Sequence, residues 1–147
     1  MDNLLSGLVG AVIGSLFGFA GAMVVVLHEQ RERRRGAARA IMAECYSNKL
    51  AADSAVLMNG EFPFSSAIYQ LNLPLIAASL KESELGPIQT PYTYLPSCER
   101  IRQSVLDEVD VDVRDLGTLR FTSERFDAAI AILGRMGGVD SPVRPGS

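Results

Sequence analysis

The residues of this chain able to do chemistry are few and scattered. Its single histidine is His28, and its two cysteines are Cys45 and Cys98. A zinc site needs three or four ligands at short, regular spacings, and these residues form neither a CxxC pair nor a Cys/His pattern. Cys45 and Cys98 are therefore expected as small, partly buried apolar residues, kept reduced in a cytosolic setting. Carboxylates crowd one stretch, the run DEVDVDVRD from Asp107 to Asp115. A calcium loop opened at Asp110 would place Asp112 correctly. It would also put Arg114 at the fifth position, Asp115 where glycine must turn, and Phe121 where the bidentate glutamate must stand. The run is read instead as an extended acidic loop. No phosphate-cradling GxxxxGK[ST] or GxGxxG occurs, and no GxSxG nucleophile elbow. Tyr69, Tyr92 and Tyr94 can be read as a binding surface, but packing between helices is the preferred reading. No catalytic, metal or cofactor residue is assigned, and the chain is expected not to be an enzyme.

The sharpest pattern is one of packing. Gly7, Gly10, Gly14, Gly18 and Gly21 are spaced three or four apart. On a helix they share an arc of about 80°. Ala11, Ser15 and Ala22 border that arc, and Leu5, Val12, Leu16, Phe19 and Met23 lie opposite. Glycines in a GxxxG register let two backbones approach closely enough for dispersion and Cα–H···O contacts. These five positions are the expected helix–helix interface, with another copy of the chain or another membrane helix.

The element that must carry this stripe is apolar throughout. From Leu4 to Leu27 no residue is charged. As a helix the run is about 36 Å long, against about 30 Å of hydrocarbon. Its large apolar side chains favour insertion by roughly 4–8 kcal/mol before the glycines reduce that figure. A cleaved signal peptide fits less well: Met1-Asp2-Asn3 carries no base, and Met23 to Leu27 continue the apolar run past Ala20-Gly21-Ala22. Arg31, Arg33, Arg34 and Arg35 follow the span as a stop-transfer flank does. Basic residues stay in the cytosol, so the expected topology is single-pass with the N-terminus outside. The same arginines can touch anionic headgroups. Arginine far outnumbers lysine, a coding bias that points to a GC-rich bacterial or phage genome, and the expected location is a plasma membrane, the bacterial inner membrane.

Beyond the span, the reading is an all-α protein. Residues 1–3 form a short extracytosolic N-terminus and 4–27 the transmembrane helix. Residues 28–59 form a juxtamembrane helical stalk, 60–138 a small helical cytosolic domain, and 139–147 a disordered tail. Ala37, Ala38, Ile41, Met42, Cys45, Ala52 and Val56 recur at helical spacing along the stalk. Within the domain, Ser65 or Ser66 is expected to cap a short helix through Leu71, and Pro74 to open a second that ends at Gly86. Pro87, Pro91 and Pro96 are expected to punctuate the chain before a helix capped by Ser97. Thr122 or Ser123 is expected to cap the last helix, which ends at Gly137-Gly138.

Net charge is −3, which excludes a global basic field for nucleic acid. The functional expectation is a membrane-anchored helical interaction or scaffold protein whose partners are the bilayer, a second membrane helix and a cytosolic protein. The alternative is an oligomeric pore-forming or pore-gating subunit, weakened because only Ser6 and Ser15 are polar within the span.

Overall fold

After Leu27 the sequence is rich in the residues that lose least on entering a helix, and it stays helical. In the computed structural model, which describes residues 2–57 and 60–139 (backbone alone over 2–10), helix α1 runs from Asp2 to Val56. Three helices follow: α2 over Ala67–Ala77, α3 over Glu82–Leu106 and α4 over Val113–Gly137. No strand occurs among the described residues, and the all-α expectation holds. By contacts the chain divides into two compact units, Met1–Arg33 and Arg34–Ser147.

In the first unit every described residue from Ala11 on is exposed. The exposed set includes Leu16, Phe17, Phe19, Val24 and Leu27. Among the described residues this is the one helix apolar and long enough to cross a membrane.

The second unit is built around one main core. Ala37, Ala38, Ile41 and Cys45 of α1 meet Ile76 of α2, Ile88, Tyr92 and Leu95 of α3, and Phe126, Ala129, Ile130, Ile132 and Leu133 of α4. A smaller cluster joins Ala55, Cys98, Ile101 and Leu119. The stretch expected as a stalk, 28–59, is thus helical through Val56, but from Ala37 onward one face of it is core of the second unit. Its apolar stripe is a packing face, and the small side chains of Ala37, Ala38, Ala51, Ala52 and Ala55 are buried there.

Several helix boundaries differ from the sequence reading, each for a physical reason. Helix α2 runs through Pro74 rather than starting with it. Helix α3 runs through Pro87, Pro91 and Pro96. Each proline removes one backbone donor and disfavours helix in the residue before it, yet burial of Pro91, Tyr92, Leu95 and Cys98 holds the helix together. Ser97 is therefore interior to α3 and caps nothing. Helix α4 begins at Val113, capped by Asp112, whose Oδ1 accepts from the N–H groups of Arg114 (2.7 Å) and Asp115 (2.8 Å). An aspartate of the acidic run is thus spent on a helix N-terminus. Thr122 and Ser123 are buried within α4. Thr122 Oγ1 donates to the Thr118 carbonyl at 2.8 Å, and Ser123 Oγ donates to Asp53 at 2.6 Å. The expected stop holds: α4 ends at Gly137, and Gly138 takes a left-handed conformation at φ 65°. The expected tail lies outside the described residues from Asp140 on.

Candidate functional site

Two places on the molecule have unusual composition: the glycine-bearing face of α1, and a polar cluster where α1, α2 and α3 meet.

The structure places Gly14, Gly18 and Gly21 on exposed helical backbone, and a Cβ built at any of them meets nothing within 4 Å. Gly7 and Gly10 fall among the residues whose side-chain surroundings are not described. Ser15 spends its hydroxyl on its own helix, donating to the Val12 carbonyl at 2.8 Å. Arg31, Arg33 and Arg34 are exposed and Arg35 is half-buried. Arg33 reaches Glu29 only loosely, at 3.9 Å across one turn. His28 is exposed on α1, well apart in sequence from either cysteine.

The polar cluster was not anticipated. Glu44 and Asn48 lie on the apolar stripe of α1, one helical turn apart, and both are buried. Helix α2 starts without a cap from its own side chains; Ser66 makes no capping bond. Glu44 supplies the cap from another helix. Its Oε1 accepts from Ser65 Oγ (2.9 Å) and the Ile68 N–H (3.0 Å), and its Oε2 from the Tyr69 N–H (2.8 Å) and the Tyr92 hydroxyl (3.2 Å). Asn48 clamps the preceding residue in both directions. Its Nδ2 donates to the Ser65 carbonyl (2.6 Å) and its Oδ1 accepts from the Ser65 N–H (2.8 Å). A carboxylate at these N–H groups also complements the positive end of the helix dipole. Every buried polar side-chain atom among the described residues has a partner.

Aromatic rings complete the site. Tyr69 stacks on Tyr92 with centroids 3.8 Å apart, and Tyr92 meets the edge of Phe126 at 5.6 Å. Burial pushes the Tyr92 and Tyr69 hydroxyls above their ordinary range, with the neighbouring Cys45 and, for Tyr92, Glu44 adding to the effect. Cys45 lies 3.4 Å from the Tyr92 hydroxyl. Burial pushes its thiol up to about 12, Tyr92 pulls it back a little, and Glu44 raises it again. A thiol held that far from ionisation is no nucleophile at neutral pH. Cys98 is also buried, its thiol raised by burial and bonded to Thr122 Oγ1 at 3.4 Å.

Beside this cluster opens a groove of about 340 Å³, walled by Phe64, Tyr69, Tyr92, Leu95, Pro96 and Glu99. The Glu99 carboxylate is occupied. It pairs with Arg102, which lowers its pKa, and it accepts from the Phe64 N–H. Arg102 in turn donates to the Gly60 carbonyl at 2.8 Å. The groove can therefore receive an apolar side chain, but it presents no activated acid, base or thiol. Among the described residues no three His, Cys, Asp or Glu side chains gather as a metal site would require.

The sequence signal for this cluster was present. Ile41, Glu44, Cys45, Asn48 and Ala52 share one helical face, so a glutamate and an asparagine interrupt an otherwise apolar stripe. A polar residue in such a place demands partners, and its partners are the first residues of α2. Tyr69 and Tyr92 do pack between helices, as read. Tyr94 lies elsewhere, edge-on to Phe121 at 5.2 Å. No known protein family, no curated protein and no solved structure matches this chain.

Proposed function

We propose that the chain is a membrane-anchored helical interaction module: α1 holds it in a bilayer and associates through its glycine face, and the helical body docks a cytosolic partner. One observation carries the reading. From Ala11 to Leu27, the described part of the apolar stretch before the arginines, α1 is exposed along its whole length, with no protein surface covering it. In water such a surface is unfavourable by about 25 cal/mol per Å², whereas a bilayer is its natural solvent.

Two further features support the reading. Gly14, Gly18 and Gly21 leave open space along one side, the room that a second helix needs. On the body, α2 carries no charged residue and exposes Ile68, Leu71 and Leu75 at helical spacing beside the aromatic groove. That surface supplies the apolar contacts of a docking site. The proposed topology keeps the N-terminus outside and the body in the cytosol of a bacterial cell, since Arg31 to Arg35 follow the span.

The test compares Gly14→Ile with Leu16→Ile in bilayers, reading energy transfer between tagged copies. Both variants remain apolar and insert. The open space at Gly14 means isoleucine meets nothing within its own chain, so a loss of transfer reports lost association and not misfolding. Gly14→Ile is expected to reduce transfer by about tenfold or more, and Leu16→Ile to leave it unchanged. Equal transfer in all three chains rejects self-association through this face. Recovery of the chain in the soluble fraction after alkaline extraction rejects the anchor itself.

A further inference from the structure

A second cleft lies between α3 and α4, away from the groove described above. It measures about 340 Å³ and is lined by Tyr94, Arg114, Gly117, Thr118 and Phe121. We infer that this cleft binds a small anion carrying a flat apolar body, an aryl phosphate or aryl carboxylate.

The cleft exists because position 117 has no side chain. A Cβ built on Gly117 meets nothing within 4 Å, so the space above the helix backbone is open. One wall is aromatic: Tyr94 stands edge-on to Phe121, with centroids 5.2 Å apart at 71°. Arg125 lies over the Phe121 ring, its guanidinium carbon 4.7 Å from the centroid. Positions 114, 118, 121 and 125 form one stripe along α4. With Gly117 beside it, the stripe presents a cation, a threonine next to bare backbone, a ring and a second cation in order.

The charges on this stripe are not spent within the chain. Arg114 and Arg125 make no ion pair among the described residues, and Arg125 has only its ring contact. Two carboxylates close to Arg114 are committed elsewhere. Asp112 caps α4 through two backbone N–H groups, and Asp115 faces Arg100 at 3.9 Å. The acidic loop before α4 cancels any long-range positive field, so recognition rests on direct contact. The Arg114 fork supplies directed donors for a phosphate or carboxylate. The Tyr94 hydroxyl has no partner within the described chain and offers another donor. The Thr118 hydroxyl is already donated to the Arg114 carbonyl at 3.1 Å and can only accept. A flat ring fits the aromatic wall, and an aliphatic or purely inorganic anion would leave that wall unused.

The experiment is equilibrium dialysis of 1-naphthyl phosphate against the full chain in micelles of a neutral detergent, with empty micelles as blank. Inorganic phosphate and 1-naphthol are run separately. The wild type is expected to retain naphthyl phosphate above the blank and to bind either half at least about tenfold more weakly, because charge and ring are recognised together. Gly117→Leu fills the cleft and should abolish retention. Arg114→Gln removes the fork from an exposed position and should weaken it by about tenfold. Arg120→Gln, exposed and outside the cleft, should change nothing. Retention no better than the blank, or unaltered by Gly117→Leu and Arg114→Gln, overturns the site. Inorganic phosphate bound as well as naphthyl phosphate overturns the aromatic half of the inference and leaves a plain surface arginine.

Discussion

Glu44 accepts four hydrogen bonds from three segments of chain, and its substitution is the most informative single change. Glu44→Gln keeps the shape but turns one acceptor oxygen into an amide group that faces N–H donors. At least one buried donor of α2, or the Tyr92 hydroxyl, is then unpaired, at a cost of about 2–4 kcal/mol. The urea midpoint should fall accordingly, and amide exchange over 68–77 should quicken more than over α4. An unchanged midpoint with unchanged exchange removes Glu44 as the anchor of α2. A second prediction concerns alkali. The Cys45 thiol ionises near 9 when exposed and near 12 when folded. Folding therefore favours the protonated thiol. That contribution is intact below pH 9 and is lost as pH rises toward 12, by up to about 1.4 kcal/mol per pH unit. Cys45→Ala should flatten the alkaline limb of stability without abolishing it, since Tyr69, Tyr92 and Cys98 are shifted in the same direction. An alkaline limb as steep in Cys45→Ala as in wild type would assign the effect to the tyrosines. The burial of Cys45 and Cys98 was legible from sequence, because a cysteine outside any metal pattern behaves as a small apolar side chain. Glu44 and Asn48 were not, because their meaning depends on Ser65 and Tyr92, brought near only by the fold.

At the scale of the helix, prolines interrupt less and hydroxyls cap less than their positions in the sequence suggest. A proline forfeits one bond and strains its predecessor, which is decisive in an isolated helix. Helix α3 contains three, and its buried side outweighs them. Thr122 and Ser123 have cap chemistry, but packed against Cys98 and Asp53 they satisfy their hydroxyls inside α4. The true cap, Asp112, sat in a run read only for its charge. Glycines within and between these helices give a paired prediction. Gly117 is exposed within α4 with open space above it, so Gly117→Ala should stabilise by about 0.5–1 kcal/mol through helix propensity. Gly60 is the opposite case. A Cβ there meets the Arg102 carbonyl oxygen and Leu106 Cγ at 3.1 Å, and Gly60→Ala should cost about 1–3 kcal/mol. Thermal melts of both variants check the pair; equal shifts would mean that close approach at Gly60 is relieved by loop movement.

At the scale of the molecule, the two units read differently from sequence. The long apolar helix and the arginines that follow it are local features, legible from residue type alone. The assignment of residues 37–55 to the core required partners from α3 and α4 that no periodicity identifies. The orientation remains a proposal with a direct test. Cys45 and Cys98 are both buried, so the native thiols are silent toward impermeant maleimides in the folded chain. A cysteine at Asn3 should then label on intact cells, and one at exposed Glu124 only after lysis. The reverse pattern overturns the orientation.

The alanines of α1 also set a timetable. Chains are made from the N-terminus, so Ala37 through Ala55 emerge well before their α4 partners, Phe126 and Leu133 for Ala37 and Ala38, and Leu119 for Ala55. Until α4 is complete, that face is bare. Because alanines and a thiol make up most of it, with Ile41 its one large buried apolar side chain, it shows few carbons while it waits. Leucines in the same places would invite aggregation of the nascent chain. Helix α2 waits too, with its cap already synthesised on Glu44 and only the apolar cover missing. Chains stalled after Leu106 should therefore stay dispersed yet be cut readily by protease within 37–77, and extension through Gly137 should bring protection to both stretches together. Protection before α4 emerges would mean that α1 to α3 already close a core of their own.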